Sequence, residues 1–524
     1  MKMTYSIANS LLAVALTTSC TSIPKAMTDR VPASAQPADE STVLGRQMLQ
    51  PPTAAEGKSG FLAVDRGWDA LLWRCAMAAQ AEKTIEIQYY IWNPDEAGLI
   101  FADHLLKAAD RGVKIRCLLD DLAVRAGSKR LASLNAHPNI EIRVYNPVGR
   151  AYEDMTARGL QLAKDPARTN RRMHNKLFVV DGGVAITGGR NIGNEYFDLS
   201  SEMNFRDRDV LTVGPTVPAL AATFDTYWNS PWVVEMDRVA GQMTSSNWVT
   251  RYYHSIQERA AGAMNKLPGF REGAATMSAR LTNLWSEVHL GQGHVVCDEP
   301  GKNILHGSMT GFGASGELLT EAALGIQKEL IVQSAYSLAM DGTLDLLRQL
   351  KKRGAKVRLI TNSSASIDEP FVFAKYKNQR PLLMDLGVEI FEIRPDGKAW
   401  EKRVATHPTP RNPTPVGLHV KNLVFDASRI YIGSFNLDPR STHLNTELGL
   451  LIDCPPLAQE VRSIMLEECE TSTSWQVLRS NEGVMTWLGR DDGTPRIWTR
   501  EPGLSWSRRI KLFFVGLLPV DDLL

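Results

Sequence analysis

Two copies of one motif carry the residues of this 524-residue chain that could do chemistry together. The first copy contains His174, Lys176, Asp181 and Asn191, and the second contains His419, Lys421, Asp426 and Asn436. In both copies the Lys follows the His by two positions, the Asp by seven and the Asn by seventeen, and the copies lie 245 residues apart. Core packing gives no reason to repeat all four residue types at one spacing. The repeat therefore predicts a functional site.

The spacing indicates phosphoryl-type transfer. Side chains alternate between the faces of an extended strand, so His174 and Lys176 are expected on one side. The run Leu177 to Val180 is typical of a buried strand, and Asp181 is typical of the turn that ends it. Two facing copies would place two imidazoles, two ammonium groups and two amides around one anion. One neutral imidazole could attack phosphorus, the cations could hold its oxygens, and the other imidazole could protonate the leaving alkoxide.

Matching β-α-β units are predicted to position the two motifs. The predicted elements are strands at 84–92 and 114–119 around a helix at 97–111, and strands at 330–336 and 355–360 around a helix at 342–353. Gln88 and Gln333 hold the same place in these units and are again 245 residues apart. Such units form neighbouring parallel strands with right-handed crossovers. The sequence therefore predicts two duplicated α/β domains.

The duplicated motif resembles the phospholipase D superfamily. The longer strings 171–176 and 188–193 resemble the C-type bacterial cardiolipin synthases, and the segments 88–92 and 205–210 fit the same group. The resemblance covers about residues 60 to 520. It implies an α/β fold of two tandem phospholipase D-like domains, each a mixed β-sheet flanked by helices. The two domains are expected to form a pseudo-twofold pair with one shared active site.

The resemblance also assigns roles to the motif residues, although spacing alone does not say which His attacks. It implies catalytic roles for His174, Lys176, Asp181, His419, Lys421 and Asp426, and substrate-phosphate binding for Asn191 and Asn436. It favours His174 as nucleophile and His419 as general acid and then general base. The residues themselves suggest that the two Asp side chains bond locally at their strand ends rather than touch substrate.

Each active-site His needs an acceptor on its other ring nitrogen to fix its tautomer. Glu447 stands 28 residues after His419, and the same count from His174 reaches Glu202. The resemblance instead points to Asp207. We therefore predict Asp207 and Glu447 as the His-orienting acids, with Glu202 as the alternative.

The predicted function is a cardiolipin synthase-type phosphatidyltransferase. It would move a phosphatidyl group from phosphatidylglycerol or phosphatidylethanolamine to phosphatidylglycerol through a phosphohistidine intermediate. One alternative is a hydrolase with the same site, either a phospholipase D or a nucleic-acid phosphodiesterase. Another is a non-catalytic lipid-binding scaffold, although such proteins usually lose a motif His or Lys. The choice of donor and the oligomeric state stay open.

Composition narrows the partners of the protein. The net charge of +1 argues against a dedicated nucleic-acid binder, so no nucleic acid is expected. The resemblance implies phospholipid substrates and a membrane surface. The six Cys form no CxxC pair and the ten His do not cluster, so we expect no metal, no cofactor and no disulfide framework.

The chain ends predict export and membrane association. Lys2, the apolar run 11–16 and the small residues up to Cys20 are typical of a signal peptide. Cys20 would be lipidated if this is a lipoprotein signal; the alternatives are cleavage nearby without lipid, or an uncleaved anchor. A bacterial cell-envelope location follows. The predicted regions are a signal at 1–20, a flexible tether at 21–60, a first domain at 61–240, a linking insert at 241–310, and a second domain at 311–524 whose tail is amphipathic.

Overall fold

The computed structural model describes residues 30–125, 128–149, 165–240, 246–303, 313–404 and 414–504. The signal segment with Cys20 and the basic, apolar tail from residue 505 lie outside the described residues. The expectations about export, lipidation and the amphipathic tail therefore stay predictions. None of the helices in the described part of the chain is long and apolar enough to cross a bilayer.

The first half folds around one mixed sheet. Its strands are β1 (Ser59–Val64), β2 (Thr84–Tyr89), β3 (Lys114–Asp120), β4 (Ile140–Tyr145), β5 (Leu177–Val180), β6 (Val184–Gly188), β7 (Asn204–Arg206), β8 (Asp209–Val213) and β9 (Val233–Glu235). Its helices are α1 (Val43–Leu49), α2 (Gly67–Gln80), α3 (Glu96–Asp110), α4 (Asp121–Arg125), α5 (Ser128–Asn135), α6 (Pro166–Thr169), α7 (Thr216–Trp228) and α8 (Met236–Ala240). The strand order is β1-β8-β6-β5-β2-β3-β4-β9, in which β2, β3 and β4 are parallel and the other pairs are antiparallel.

A helical pair and one long strand connect the halves. They are α9 (Ser246–Lys266), α10 (Phe270–Thr282) and β10 (His289–Cys297). Apolar residues of both helices join the outer core of the first half, because Ile256, Phe270 and Leu281 are buried against it. The described part of the expected insert is therefore packed structure: its helices cover the first half, and β10 belongs to the sheets.

The second half repeats the first. Its strands are β11 (Glu329–Ser334), β12 (Lys356–Asn362), β13 (Val388–Ile393), β14 (Val416–Leu418), β15 (Lys421–Phe425), β16 (Arg429–Gly433), β17 (Leu448–Asp453), β18 (Ser474–Arg479), β19 (Met485–Asp491) and β20 (Thr494–Trp498). Its helices are α11 (Ala314–Leu324), α12 (Asp341–Arg353), α13 (Pro370–Asp385), α14 (Trp400–Arg403) and α15 (Pro455–Glu468). The strand order is β10-β17-β16-β15-β11-β12-β13-β18-β19-β20, again with a parallel centre, β11-β12-β13.

The two sheets are joined as a pseudo-twofold pair. β1 and β10, which hold equivalent places in their halves, pair with each other in antiparallel fashion. A short parallel pair, β7 with β14, crosses between the halves a second time. The predicted units at 84–119 and 330–360 appear with boundaries shifted by a few residues and with the expected parallel pairing.

The core sits on both faces of each sheet. In β5 the side chains of Phe178 and Val180 enter the outer core under α2 and α3, whereas Leu177 and Val179 enter a second core. That second core is shared, since Val424 and Ile430 of the other half belong to it. Burial on both faces explains why the strand reads as a continuous apolar run rather than an alternating one. The shared core fixes the two motifs relative to each other.

Residues 30–60, the described part of the tether expected at 21–60, make contacts with the first half. Arg30 pairs with Glu235 at 2.6 Å, and the backbone N–H of Ala35 donates to Asp225. Further along, α1 is capped by Thr42, whose hydroxyl accepts from Gly45, and buries Leu44. The segment shows little apolar periodicity. It is held on the surface of the first half by polar contacts of individual residues, and such contacts leave no periodic pattern in the sequence.

Candidate active site

The two motif segments lie against each other's half of the molecule. The backbone N–H of His174 donates to Thr446 at 2.9 Å, and the N–H of Thr446 returns to Arg172 at 2.9 Å. In the symmetric arrangement the N–H of His419 donates to Arg206 at 2.9 Å. The first motif strand begins at Leu177 and the second at Lys421, so each His lies just before its strand. The His-x-Lys segment is an extended entry to the strand, held by backbone hydrogen bonds from the other half.

Each His is oriented by an acid from the opposite half. The Nδ1 atom of His174 lies 2.8 Å from Glu447 Oε2, and the Nδ1 atom of His419 lies 2.7 Å from Asp207 Oδ2. All four side chains are buried, whereas the alternative acid, Glu202, is exposed. The structure therefore places Asp207 and Glu447 beside the imidazoles and leaves Glu202 outside the site. Each acid therefore serves the His of the other half.

The crossing follows from the backbone pairing. Arg206 accepts from the His419 segment, so the next residue, Asp207, is delivered to that imidazole. Thr446 accepts from His174 in the same way, and Glu447 is the next residue. Neither acid can reach the His of its own half without undoing these pairs. One site is thus built from both halves.

The two lysines sit close to their own histidines. Lys176 Nζ donates to the His174 carbonyl at 2.5 Å, and Lys421 Nζ donates to the His419 carbonyl and lies 3.0 Å from its Nδ1. Burial lowers the pKa of both ammonium groups, and the charge of Lys421 lowers the pKa of Lys176 further. Mutual repulsion in a buried space is relieved when an anion enters. The pair is therefore suited to binding a phosphodiester.

Aromatic rings bracket both imidazoles. Tyr90 meets the His174 ring edge-on with centroids 5.0 Å apart. Tyr196 and Phe205 contact the His419 ring at 5.1 and 5.3 Å. Rings in these geometries restrict rotation of the imidazoles, so the nitrogen opposite Nδ1 keeps a fixed direction.

The electrostatics differ between the two His-acid pairs. Burial first, and then Lys176 and Lys421, lower the pKa of His174 well below its usual value. Burial and Lys421 lower the pKa of His419 to about 4, against the opposing effect of Asp207. Both imidazoles are thus neutral at pH 7 in the empty site.

The two acids are perturbed in opposite directions. Burial raises the pKa of Glu447 to about 7. The pKa of Asp207 is also pushed upward by burial, but its hydrogen bond and charge interaction with His419 hold it well below the usual range. The anion beside His419 is therefore fully ionised at neutral pH, whereas the one beside His174 is near its midpoint.

The two motif asparagines differ in their hydrogen bonding. Asn191 Nδ2 donates to the Tyr196 hydroxyl at 3.0 Å, and its Oδ1 accepts from the N–H of Ile91 at 3.3 Å. Asn436 is buried, and its Oδ1 has no hydrogen-bond partner among the described residues. Such a buried amide is typical of a group that is completed by a ligand.

Asp181 and Asp426 lie away from the site. Asp181 accepts from the backbone N–H groups of Glu82, Lys83 and Thr84. Asp426 accepts from the equivalent three, at 327, 328 and 329. Each Asp follows its motif Lys by five positions in extended chain, which is roughly 16 Å at about 3.3 Å per position. The contacts of both carboxylates are local, and a catalytic role for them stays a prediction.

Two residues of the site were missed at the sequence level. Ser434 donates to Glu447 Oε2 at 2.5 Å and so steadies the acid of His174. Asp120, at the end of β3, accepts from the N–H of Met173 at 2.9 Å and fixes the segment entering His174. Ser434 stands inside the segment that closes the second motif, and Asp120 ends a parallel strand at the site edge. These sequence positions could have been used to predict both residues as part of the site.

The fold and this two-half site define a duplicated phospholipase D-type enzyme, and comparison with known proteins specifies the family. The family described as "Cardiolipin synthase, PLD-like domain" matches residues 75–228 and 319–468. Cardiolipin synthase C of Escherichia coli strain K12 is 32% identical over 480 residues, covering 89% of this chain and 97% of that protein. The chain therefore belongs to the phospholipase D-like cardiolipin synthase family. The predicted family, fold class and enzyme class, a phosphatidyltransferase of the phospholipase D superfamily, are confirmed.

Other similarities are more distant. A cardiolipin synthase of Staphylococcus aureus strain Mu50 is 25% identical over 391 residues, covering 74% of this chain and 63% of that protein. The crystal structure of phosphatidylserine synthase from Haemophilus influenzae Rd KW20 superimposes with a TM-score of 0.55 at 15% identity, covering 88% of this chain and 94% of that chain. At that identity the structural match supports the fold alone.

Proposed function

We propose that the protein is a cardiolipin synthase. It takes a phosphatidyl group from phosphatidylglycerol or phosphatidylethanolamine and passes it to phosphatidylglycerol. The observation that carries this proposal is the crossed pair of His-acid units around one lysine-lined space. The similarity to Escherichia coli cardiolipin synthase C over nearly its whole length supports the choice of lipid. Such substrates place the site at a membrane surface.

In the first step His174 attacks the phosphorus of the donor. Its Nδ1 is engaged by Glu447, so Nε2 is the attacking atom. His419 takes up a proton from solvent as the anionic phosphodiester binds. The N–P bond forms as the bond from phosphorus to the headgroup oxygen breaks, and His419 donates this proton to that oxygen. Lys176 and Lys421 stabilise the charge on the non-bridging oxygens, and Asn436 supplies its amide N–H.

In the second step His419 acts as general base. It takes the proton from a hydroxyl of the acceptor phosphatidylglycerol, and the acceptor oxygen attacks phosphorus. The N–P bond to His174 breaks, and cardiolipin leaves. The balance of protons is complete, since His419 gives one in the first half of the cycle and recovers one in the second.

The electrostatic asymmetry supports His174 as the nucleophile. A general acid must carry a proton while its partner remains anionic, and Asp207 beside His419 is the fully ionised carboxylate. The entering phosphodiester adds negative charge, which raises the pKa of a neighbouring imidazole. His419 is therefore the histidine whose imidazolium is stabilised better, and His174 is the one suited to attack while neutral.

Product analysis tests the proposal. Purified protein is incubated with labelled phosphatidylglycerol, with and without phosphatidylethanolamine, and the lipid products are identified. We expect cardiolipin as the product. Its rate of formation should fall by at least about 10³-fold in His174→Ala and in His419→Ala. The control His289→Ala should keep activity, because His289 pairs with Glu460 at the protein surface. Phosphatidic acid as the sole product would instead identify a hydrolase.

A further inference from the structure

A cavity of about 140 Å³ lies inside the second half, between its sheet and the helices α11 and α12. Leu319 and Leu346 line it from the helices, and Leu359 and Leu423 line it from the sheet. No charged side chain of the described residues lines it, and its few polar atoms come from Ser, Thr and the backbone. A cavity of this size and lining stays dry and takes up apolar ligands.

Four consecutive residues after β16 lie between the cavity and the catalytic site. Ser434 donates to Glu447, and Asn436 carries the unpartnered Oδ1 described above. The two residues that alternate with them, Phe435 and Leu437, line the cavity. One short segment therefore carries polar side chains at the catalytic site and apolar side chains at the cavity.

The end of β11 makes the same connection. Ser334 lies opposite Lys421 in the sheet. Ser337 and Leu338, a few residues further on, line the cavity, and Ser337 forms a bridge with Leu437. The cavity then extends along the sheet as far as Val388 at the start of β13. Its lining therefore includes residues next to the catalytic segment as well as residues at the start of β13.

The equivalent face of the first half is filled. There α2 and α3 cover the sheet with Trp73 and Phe101, both buried in the outer core. In the second half the covering helices contribute small residues at the cavity, Gly316, Ala323 and Gly342. The duplicated halves thus share a fold but differ in whether this face is packed or hollow.

We propose that the cavity receives one acyl chain of the phospholipid whose phosphate lies between His174 and His419. This inference rests on the proposed function and adds a chain-binding subsite in the second half. An acyl chain matches the apolar, uncharged lining, and a headgroup does not. Its phosphate would lie beside Asn436 while the first methylenes pass Phe435 and Leu437.

Acyl-chain dependence tests the subsite. Initial rates are measured with dihexanoyl and dioctanoyl phosphatidylglycerol as donors, both kept monomeric so that chain burial in the protein is measured against water. We expect kcat/KM to be about tenfold higher for the longer lipid, the effect of burying roughly two more methylenes. In Ala323→Phe, where the new ring occupies the cavity, this ratio should fall towards one.

Ala314→Phe is the matched control, since Ala314 lies on the same helix but is exposed and does not line the cavity. It should keep the wild-type ratio. Leu346→Ala, which enlarges the cavity, should raise the preference for longer chains. An unchanged ratio in Ala323→Phe, or no chain-length preference in the wild type, would overturn the subsite.

A second readout separates the subsite from the reaction. A phosphatidylglycerol with a photoreactive group at the end of an acyl chain should label α11 or α12 in the wild type and not in Ala323→Phe. Labelling elsewhere would contradict the subsite even if cardiolipin is made. Labelling of these helices without any lipid product would uphold the cavity and refute the proposed function.

Discussion

At the scale of single residues, the site depends on pairs that cross between the halves. The residue types and their spacing were predictable from the sequence, because a repeated His, Lys and Asn are chemistry-bearing groups. The partners were not, since a count of 28 positions assigns Glu447 to His419 whereas the backbone delivers it to His174. Counting positions along the sequence does not show which segment of the other half lies opposite a given His. Asp207 was reached only through the family resemblance.

A double-mutant cycle on protein stability tests the crossing. Glu447→Gln and His174→Asn should show a coupling of about 1 to 3 kcal/mol in the free energy of unfolding, because they share a buried charge-assisted hydrogen bond. Glu447→Gln and His419→Asn should be additive within about 0.5 kcal/mol. Denaturant titration of the single and double variants provides the values. Strong coupling in the second pair and none in the first would show that the acids serve their own halves.

The buried imidazoles predict a pH dependence of stability. The pKa of His419 is about 4 in the folded protein, lowered first by burial and then by Lys421, and near 6.5 in an unfolded chain. The unfolded state therefore binds more protons between those values, so stability is present above pH 6.5 and is lost as the pH falls towards 4.

Between pH 7 and pH 4 we expect the wild type to lose about 3 kcal/mol more than His419→Asn, at about 1.4 kcal/mol per pKa unit. Urea unfolding at a series of pH values measures the difference. His289→Asn serves as the control and should follow the wild type. A His419→Asn variant with the same pH profile as the wild type would mean that this imidazole is not held neutral.

At the scale of elements, the turn after β6 explains the glycines that close the first motif. A Cβ on Gly189 would lie 2.8 Å from Asp207 Cγ and would collide with its carboxylate. Asp207 has little freedom to move, since its own carboxylate also accepts from the N–H of Arg208 at 2.8 Å. The glycine is therefore required by the close approach of the acid that orients His419.

Gly189→Ala should lower kcat by about 10 to 100-fold, because a displacement of about 1 Å in a positioning group has effects of that size. Gly262→Ala on α9 is the control, since a Cβ there meets no heavy atom within 4 Å. It should leave kcat unchanged and raise the melting temperature slightly, as expected for Gly to Ala inside a helix. Steady-state kinetics of both variants decide this. Equal kcat for Gly189→Ala and the wild type would refute the positioning role.

Elements with a strong apolar pattern were predictable and the others were not. The helix at 341–353 and the strands at 329–334 and 356–362 lie close to their predicted places. The placement of the segment from residue 30 to β1 was not predictable. It is held by side-chain contacts such as Arg30 with Glu235, and such contacts produce no periodic pattern in the sequence. The antiparallel pairing of β1 with β10 also leaves no sequence signal.

At the scale of the whole molecule, a shared core makes the two halves one folding and catalytic unit. Side chains from β5 of the first half and from β15 and β16 of the second lie in the same cluster. The site is then complete within one chain. Co-expressed or mixed His174→Ala and His419→Ala chains should show no more activity than the sum of the two alone. Recovery towards one quarter of the wild-type rate would show that the site forms between chains.

The central claim is that histidines from both halves handle a single phosphodiester. Its most direct test is rapid quenching of the wild-type protein with phosphatidylglycerol labelled at phosphorus, followed by peptide mapping of the labelled protein. The account predicts at most one label per chain, located on His174, appearing before cardiolipin and discharged by added phosphatidylglycerol. Two labels per chain, one on each of His174 and His419, would show that each half works alone and would contradict it.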